Sequence, residues 1–189
     1  MYKPMMLEQI MIEQCSPTMA GLKTGNLFVC PYENKCELNC NIRKLNMLAV
    51  PKGVRIVPLK FSKNRALIYM YRPEKLKADL SNSEAESILK DMDYPTKNAE
   101  ECIVKLVHRL EDENSFPHEI GLFLGYPPED VSGFIEKGAR GAKCVGNWCV
   151  FGDEKKALEK FALYKKCTSL YKKAYCKFNS IDRLIVSGT

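Results

Sequence analysis

The residues best suited to chemistry lie in SFPHEIGLFLGYPPEDVSGFIEKGARG, positions 115–141, where His118 is followed by Glu119. An imidazole beside a carboxylate can act as a general base with an acidic neighbour. His118 follows Pro117 at an expected helix start, where backbone N–H groups disfavour imidazolium and could hold the ring neutral. The same ring could instead satisfy the helix end. A zinc-protease reading fails, because that motif needs a second histidine four positions on and position 122 is Leu122. The other histidine, His108, falls opposite the apolar stripe Ala99, Cys102, Ile103, Leu106 and Leu110, and reads as a solvated surface residue.

The same stretch has a helix-turn-helix rhythm. Ile120, Gly121, Leu124, Gly125, Val131 and Phe134 fall at the spacings that motif uses for its core and its turn glycine. Its second helix would begin with Pro127, Pro128, Glu129 and Asp130. Those residues suit a helix start, but they offer phosphates two missing N–H groups and two negative charges. A DNA-binding regulator is therefore the third reading, and nucleic acid is not the expected partner.

Nine cysteines occur, none in a C-x-x-C pair. Cys30, Cys36 and Cys40 lie in CPYENKCELNC, with Cys15 upstream. Zinc and iron-sulfur sites usually draw ligands from a tight two-residue loop, so these are expected to be reduced, mostly buried thiols without a metal. Cys144 and Cys149 flank an expected strand and point to opposite faces of it. SPTMAGLKTG, positions 16–25, sets Lys23 and Thr24 among glycines, yet Leu22 occupies the place of the second P-loop glycine. A bend able to touch an anionic ligand remains, beside the plainer reading of a structural turn.

The elements that must position these residues follow from apolar spacing. GNLFVCPY (25–32) reads as a strand and positions 36–50 as a helix stopped by Pro51 and Gly53. VRIVPLKF and RALIYMYR alternate about Ser62, Lys63 and Asn64, the pattern of a hairpin, with Pro58 at an edge or bulge. Helices are expected near 74–80, over SNSEAESILKDMD with Ser83 and Glu86 as a capping box, and over 99–110. GNWCVFGD (146–153) reads as a last strand, followed by a long helix over 154–178 with a seam of Ala157, Phe161, Tyr164, Thr168, Tyr171, Tyr175 and Phe178.

The chain has 189 residues, 46% of them hydrophobic and 28% charged, consistent with one globular domain over 1–189. No segment approaches the roughly 20 apolar residues of a membrane span, and the N-terminus lacks the pattern of a signal peptide, so a cytoplasmic location is expected. The net charge of +6 equals the balance of the last helix alone, which carries eight lysines and two glutamates. That face is either solvated or docks an acidic partner.

Four segments in order, CSPTMAGLKTGNLF, ALIYMYRPEKL, SFPHEIGLFLGYPPEDVSGFI and GNWCVFGDEKKALEKFALYKKCT, span nearly the whole chain and resemble the bacterial family named domain of unknown function 3793. The matching positions are Thr18, Gly21, Lys23, Thr24, Arg72, Pro73, His118, Glu119, Gly125, Tyr126, Trp148 and Cys167. The chain departs from the family at Cys149, where a lysine or similar residue is usual, and the Cys30, Cys36 and Cys40 cluster looks peculiar to it. The resemblance brings no activity or cofactor with it. It implies an anaerobic bacterial source and an association with flavodoxin and iron-related genes.

The expected fold is α+β: a small, mostly antiparallel sheet from the Gly25, Val54, Arg65 and Gly146 strands, covered by helices, with the long C-terminal helix along it. The first functional reading is a ligand-binding or accessory protein in anaerobic redox or iron metabolism, with Lys23, Thr24, Arg72, Tyr126 and Trp148 as ligand contacts. It docks an acidic, flavodoxin-like carrier through Lys160, Lys166 and Lys173. The alternative is an enzyme using His118 and Glu119 on an anionic small molecule steered by Lys23 or Arg72.

Overall fold

The alternating apolar runs form the strands expected of them. In the computed structural model, which describes residues 4–111 and 116–188, β1 (Gly25–Pro31), β2 (Arg55–Ser62) and β3 (Arg65–Tyr71) make an antiparallel sheet in the order β1-β3-β2. Pro58 lies on edge strand β2, and the register shifts between Pro58 and Lys60, so the missing N–H interrupts no central ladder. Ala66, Ile68 and Met70 of β3 face a core shared with Phe28, Cys30 and Ile56. The opposite face buries Tyr69 and Tyr71, whose rings stack 4.7 Å apart.

Two helices cover the core face. The first, α1 (Pro4–Met19), packs on β1 through Leu7, Met11, Cys15 and Met19, and α2 (Lys35–Ala49) packs on β2 through Leu38, Ile42, Leu45 and Ala49. The sequence reading did not foresee α1. It runs through Ser16–Met19, the start of the expected glycine bend, despite Pro17 in its last turn. The Ser16 hydroxyl donates to the Ile12 carbonyl there, a local bond of the kind that accompanies bends in helices.

The chain divides into two compact units, Met1–Pro73 with Tyr164–Thr189, and Glu74–Leu163. The second unit holds most of α3 (Pro73–Leu80), then α4 (Ser83–Asp91), α5 (Ala99–Glu111), α6 (Ile120–Phe123), α7 (Pro128–Lys137) and a ribbon of β4 (Cys144–Val145) with β5 (Cys149–Val150). Two expectations are corrected here. The strand near Gly146 does not join the main sheet, because only Cys149 and Val150 pair and their partners are Val145 and Cys144. The cap of α4 is Asn82, whose side chain accepts from Glu84 N and Ala85 N, while Glu86 pairs with Lys90 at 2.7 Å.

The long helix α8 spans Glu154–Phe178, the bounds expected from its seam. Ala157, Tyr164 and Tyr175 are buried, and Phe161, Thr168 and Tyr171 half-buried, but Phe178 is exposed, so the seam closes at Tyr175. Every lysine of α8 is exposed. The fold is thus α+β, with a small antiparallel sheet and a long C-terminal helix. Among the described residues no helix is long and apolar enough to cross a membrane.

Candidate functional site

The expected helical corner is present, and glycine makes it tight. Gly125 takes φ +74 between α6 and α7, and a Cβ on Gly121 would stand 2.8 Å from Val131 Cγ2 and 3.1 Å from the Tyr126 ring. The two helices therefore approach closely only because Gly121 carries no side chain.

Asp130 fixes the ribbon to this corner. Its carboxylate is buried and accepts from Trp148 Nε1 at 2.7 Å, Phe151 N at 2.7 Å and Gly152 N at 2.8 Å. A buried carboxylate with three donors is satisfied, and it sets the plane of the indole. Tyr126 stacks on Trp148 with centroids 4.8 Å apart, and Phe161 meets the indole edge-on at 4.6 Å. Gly146 makes room for that ring, since a Cβ there would lie 2.3 Å from Phe161 Cε2.

Tyr126 and Trp148 wall a cavity of about 470 Å³, together with Phe116, His118, Phe134, Val131, Val145 and Cys149. His118 is exposed, and its ring meets Phe134 edge-on at 5.0 Å. The Tyr126 hydroxyl donates to the Asn147 carbonyl at 3.1 Å. Among the described residues, the cavity lining contains no lysine or arginine.

His118 and Glu119, paired in the sequence reading, face different surroundings. Glu119 is buried, accepts from the Tyr94 hydroxyl at 2.7 Å, and lies 2.6 Å from Arg109 Nε, an ion-pair contact without hydrogen-bond alignment. Burial, reinforced by the hydrogen bond from its hydroxyl to Glu119, pushes the Tyr94 phenol well above its ordinary range. Glu119 thus tethers α5 and the loop before α6, while His118 faces the cavity. No side chain caps α6.

Lys23, Thr24 and Arg72 belong to the first unit, as do Thr18, Gly21 and Cys167. Arg72 Nε donates to Thr18 O at 2.7 Å, and Nη2 donates to Met19 O and Val186 O, each at 2.7 Å. The guanidinium thereby ties carbonyls at the α1 C-terminus to the C-terminal segment, a favourable place for a cation. Lys23 and Thr24 are both 5% exposed. Burial lowers the Lys23 amine to about 8, and burial pushes the neighbouring Cys15 thiol far up, so that it stays neutral. These motif residues form a packed joint of the first unit, whereas His118, Tyr126 and Trp148 line the cavity of the second.

Sequence reasoning missed Phe116, Phe134, Val145 and Asp130 as parts of one site. Val131 and Phe134, at the core spacings of a helix-turn-helix, turn inward, towards the cavity. Asp130, placed on the reading face of that motif, instead anchors the indole. Among the described residues no three His, Cys, Asp or Glu side chains gather as a metal-binding group: Cys15 and Cys30 are buried, Cys36 and Cys40 exposed.

No match to this chain was found among curated proteins or among solved structures. The family model described as Protein of unknown function (DUF3793) matches residues 11–185, a span that includes the Arg72 joint, the α6–α7 corner and Trp148. The chain belongs to that family.

Proposed function

We propose that this protein binds a flat, uncharged ring compound in the cavity of its second unit. The observation that carries the reading is the wall itself: Tyr126, Trp148, Phe116 and Phe134 offer ring faces and edges, with Asp130 already holding three donors. Cavities of roughly 300–1,000 Å³ with mostly apolar linings and a few placed polar groups are the usual form of small-molecule sites. An anion entering here would lose water without gaining a cationic side chain from the described lining, which disfavours it. His118 supplies a polar contact at the exposed side.

Trp148 is the only tryptophan, so its emission reports on the cavity directly. Titration with menadione, a flat neutral quinone, is expected to quench that emission saturably at micromolar concentration. Val145→Phe, which fills the lining from the ribbon, should remove the saturation. A linear quench identical in both proteins would overturn the reading.

A second reading is favoured by the exposed lysines of α8. Lys160, Lys166 and Lys173 would dock an acidic, flavodoxin-like carrier, placing a cytoplasmic protein beside redox chemistry in an anaerobic cell. Changing all three to Glu should then weaken binding to a flavodoxin at least tenfold at low salt, and unchanged binding would remove the idea.

A further inference from the structure

The sequence cluster Cys30, Cys36 and Cys40 separates in the fold. Cys30 is buried in the core and its Sγ contacts Pro31 O at 3.4 Å, whereas Cys36 and Cys40 are both exposed on α2. Free cysteine is among the most buried residue types, so two exposed thiols one helical turn apart are unusual. We propose that Cys36 and Cys40 form a two-sulfur site for a soft, thiophilic centre of the class of Cu(I) or trivalent arsenic.

The helix fixes the geometry. Asn34 caps α2 by accepting from Cys36 N at 2.8 Å and Glu37 N at 3.2 Å, which holds Cys36 in the first turn. The opposite face of α2 is anchored in the core by Leu38, Ile42, Leu45 and Ala49. Residues i and i+4 of a helix lie side by side, with Cβ atoms roughly 5–6 Å apart. An unstrained disulfide needs them about 3.5–4.5 Å apart, so the helix holds these sulfurs too far apart for a direct bond. One interposed atom with two bonds of about 2.3 Å, the length typical of metal–thiolate bonds, closes the gap.

The donor set selects the occupant. With no third His, Cys, Asp or Glu ligand among the described residues, the pair lacks the four ligands of structural zinc and the cysteines of an iron-sulfur cluster. Thiolates prefer soft centres, and those named accept two protein sulfurs. Arg43 and Lys44, exposed on the next turn, offset the negative charge of a bis-thiolate Cu(I) complex. No other cysteine pair matches: Cys144 and Cys149 point to opposite faces of the ribbon, and Cys176 is exposed on α8.

Capture changes no oxidation state. With phenylarsine oxide, both thiols lose their protons, two As–S bonds form, and the oxide oxygen leaves as water. With Cu(I), two Cu–S bonds form and two protons pass to solvent.

The test uses the reduced full chain without oxygen. Intact-mass measurement should show one phenylarsine adduct that survives excess 2-mercaptoethanol and is released by a dithiol. Cys36→Ser and Cys40→Ser should each weaken it at least tenfold with unchanged far-ultraviolet circular dichroism. Lys44→Cys in the Cys36→Ser background should restore it, because it recreates the four-residue spacing with Cys40. A parallel Cu(I) titration against bathocuproine disulfonate separates the sources. Cu(I) held by the wild type and lost in the serine variants identifies a metal site, whereas the arsenical adduct with all Cu(I) passing to the chelator identifies an arsenical site. Failure of both probes on the wild type, or equal binding by the wild type and the serine variants, overturns the proposal.

Discussion

Single side chains decide most of what is specific here, and burial decides what they can do. Lys23 shows this through pH. Its amine, ordinarily near 10.5, falls to about 8 in the fold because burial penalises the ammonium. Below pH 8 both folded and unfolded chains carry the proton, and the fold bears the full desolvation penalty. Between 8 and 10.5 only the unfolded chain carries it, so the unfolded state binds more protons and stability rises with pH. Above 10.5 both are neutral. The stability advantage of Lys23→Met over the wild type should therefore shrink by about 3 kcal/mol between pH 7 and pH 10.5, as read by urea denaturation. A gap that stays constant would show that Lys23 is not the group responsible. Asp130 is the counterpart in the second unit. Asp130→Ala strands the Trp148 indole N–H and two backbone N–H groups, at a cost on the order of 3–5 kcal/mol. Trp148 emission should shift to the red as the ring loosens.

Elements were legible where one physical signal dominated. Three strands and α8 were readable because period-two alternation and a long, mostly aromatic seam leave few competing structures. Pro58 located the edge strand by the hydrogen bond it cannot make. In α1, Pro17 and the following glycines gave the signature of a bend and hid a helix whose stability comes from packing Leu7, Met11 and Cys15 on the sheet. The strand near Gly146 has strand composition, but its partners, Cys144 and Val145, sit across a short turn, and composition cannot name a partner. For the site, His118, Tyr126 and Trp148 were identifiable as residue types, while their meeting in one cavity depends on Gly121, Gly146 and Asp130, whose roles appear only in three dimensions. Gly146 provides the test. In Gly146→Ala the new methyl collides with the Phe161 ring unless that ring moves off the indole. Menadione affinity should fall at least fivefold while Lys23-dependent pH behaviour stays as in the wild type. Unchanged affinity would mean that the edge contact does not shape the cavity.

At the scale of the whole molecule, the first unit is assembled from the two ends of the chain and the second from the segment between them. Closing the first unit joins residues far apart in sequence: the Tyr175 hydroxyl donates to Glu8 at 2.8 Å, Lys172 meets Glu13 at 3.1 Å, and Lys52 meets Asp182 at 2.6 Å. The two lysine ion pairs are at least partly exposed, and each is worth little by itself. Arg72 differs, being 4% exposed and bonded to the carbonyls of Thr18, Met19 and Val186, so one planar group fastens α1, the end of β3 and the C-terminal segment. Loop-closure entropy opposes such long-range contacts, and a multidentate buried donor offsets it better than scattered surface pairs. The choice of guanidinium is itself testable. Arg72→Leu leaves three carbonyls without this donor, and should lower stability by about 3–5 kcal/mol and speed amide hydrogen exchange at Val186, whose N–H bonds to Met19 O. Arg72→Lys keeps the charge, but a single ammonium cannot reproduce the planar fork across carbonyls from two segments, so it should recover less than half of that loss. If lysine restored full stability and slow exchange at Val186, charge at the end of α1 would be the operative feature and the fork would be incidental.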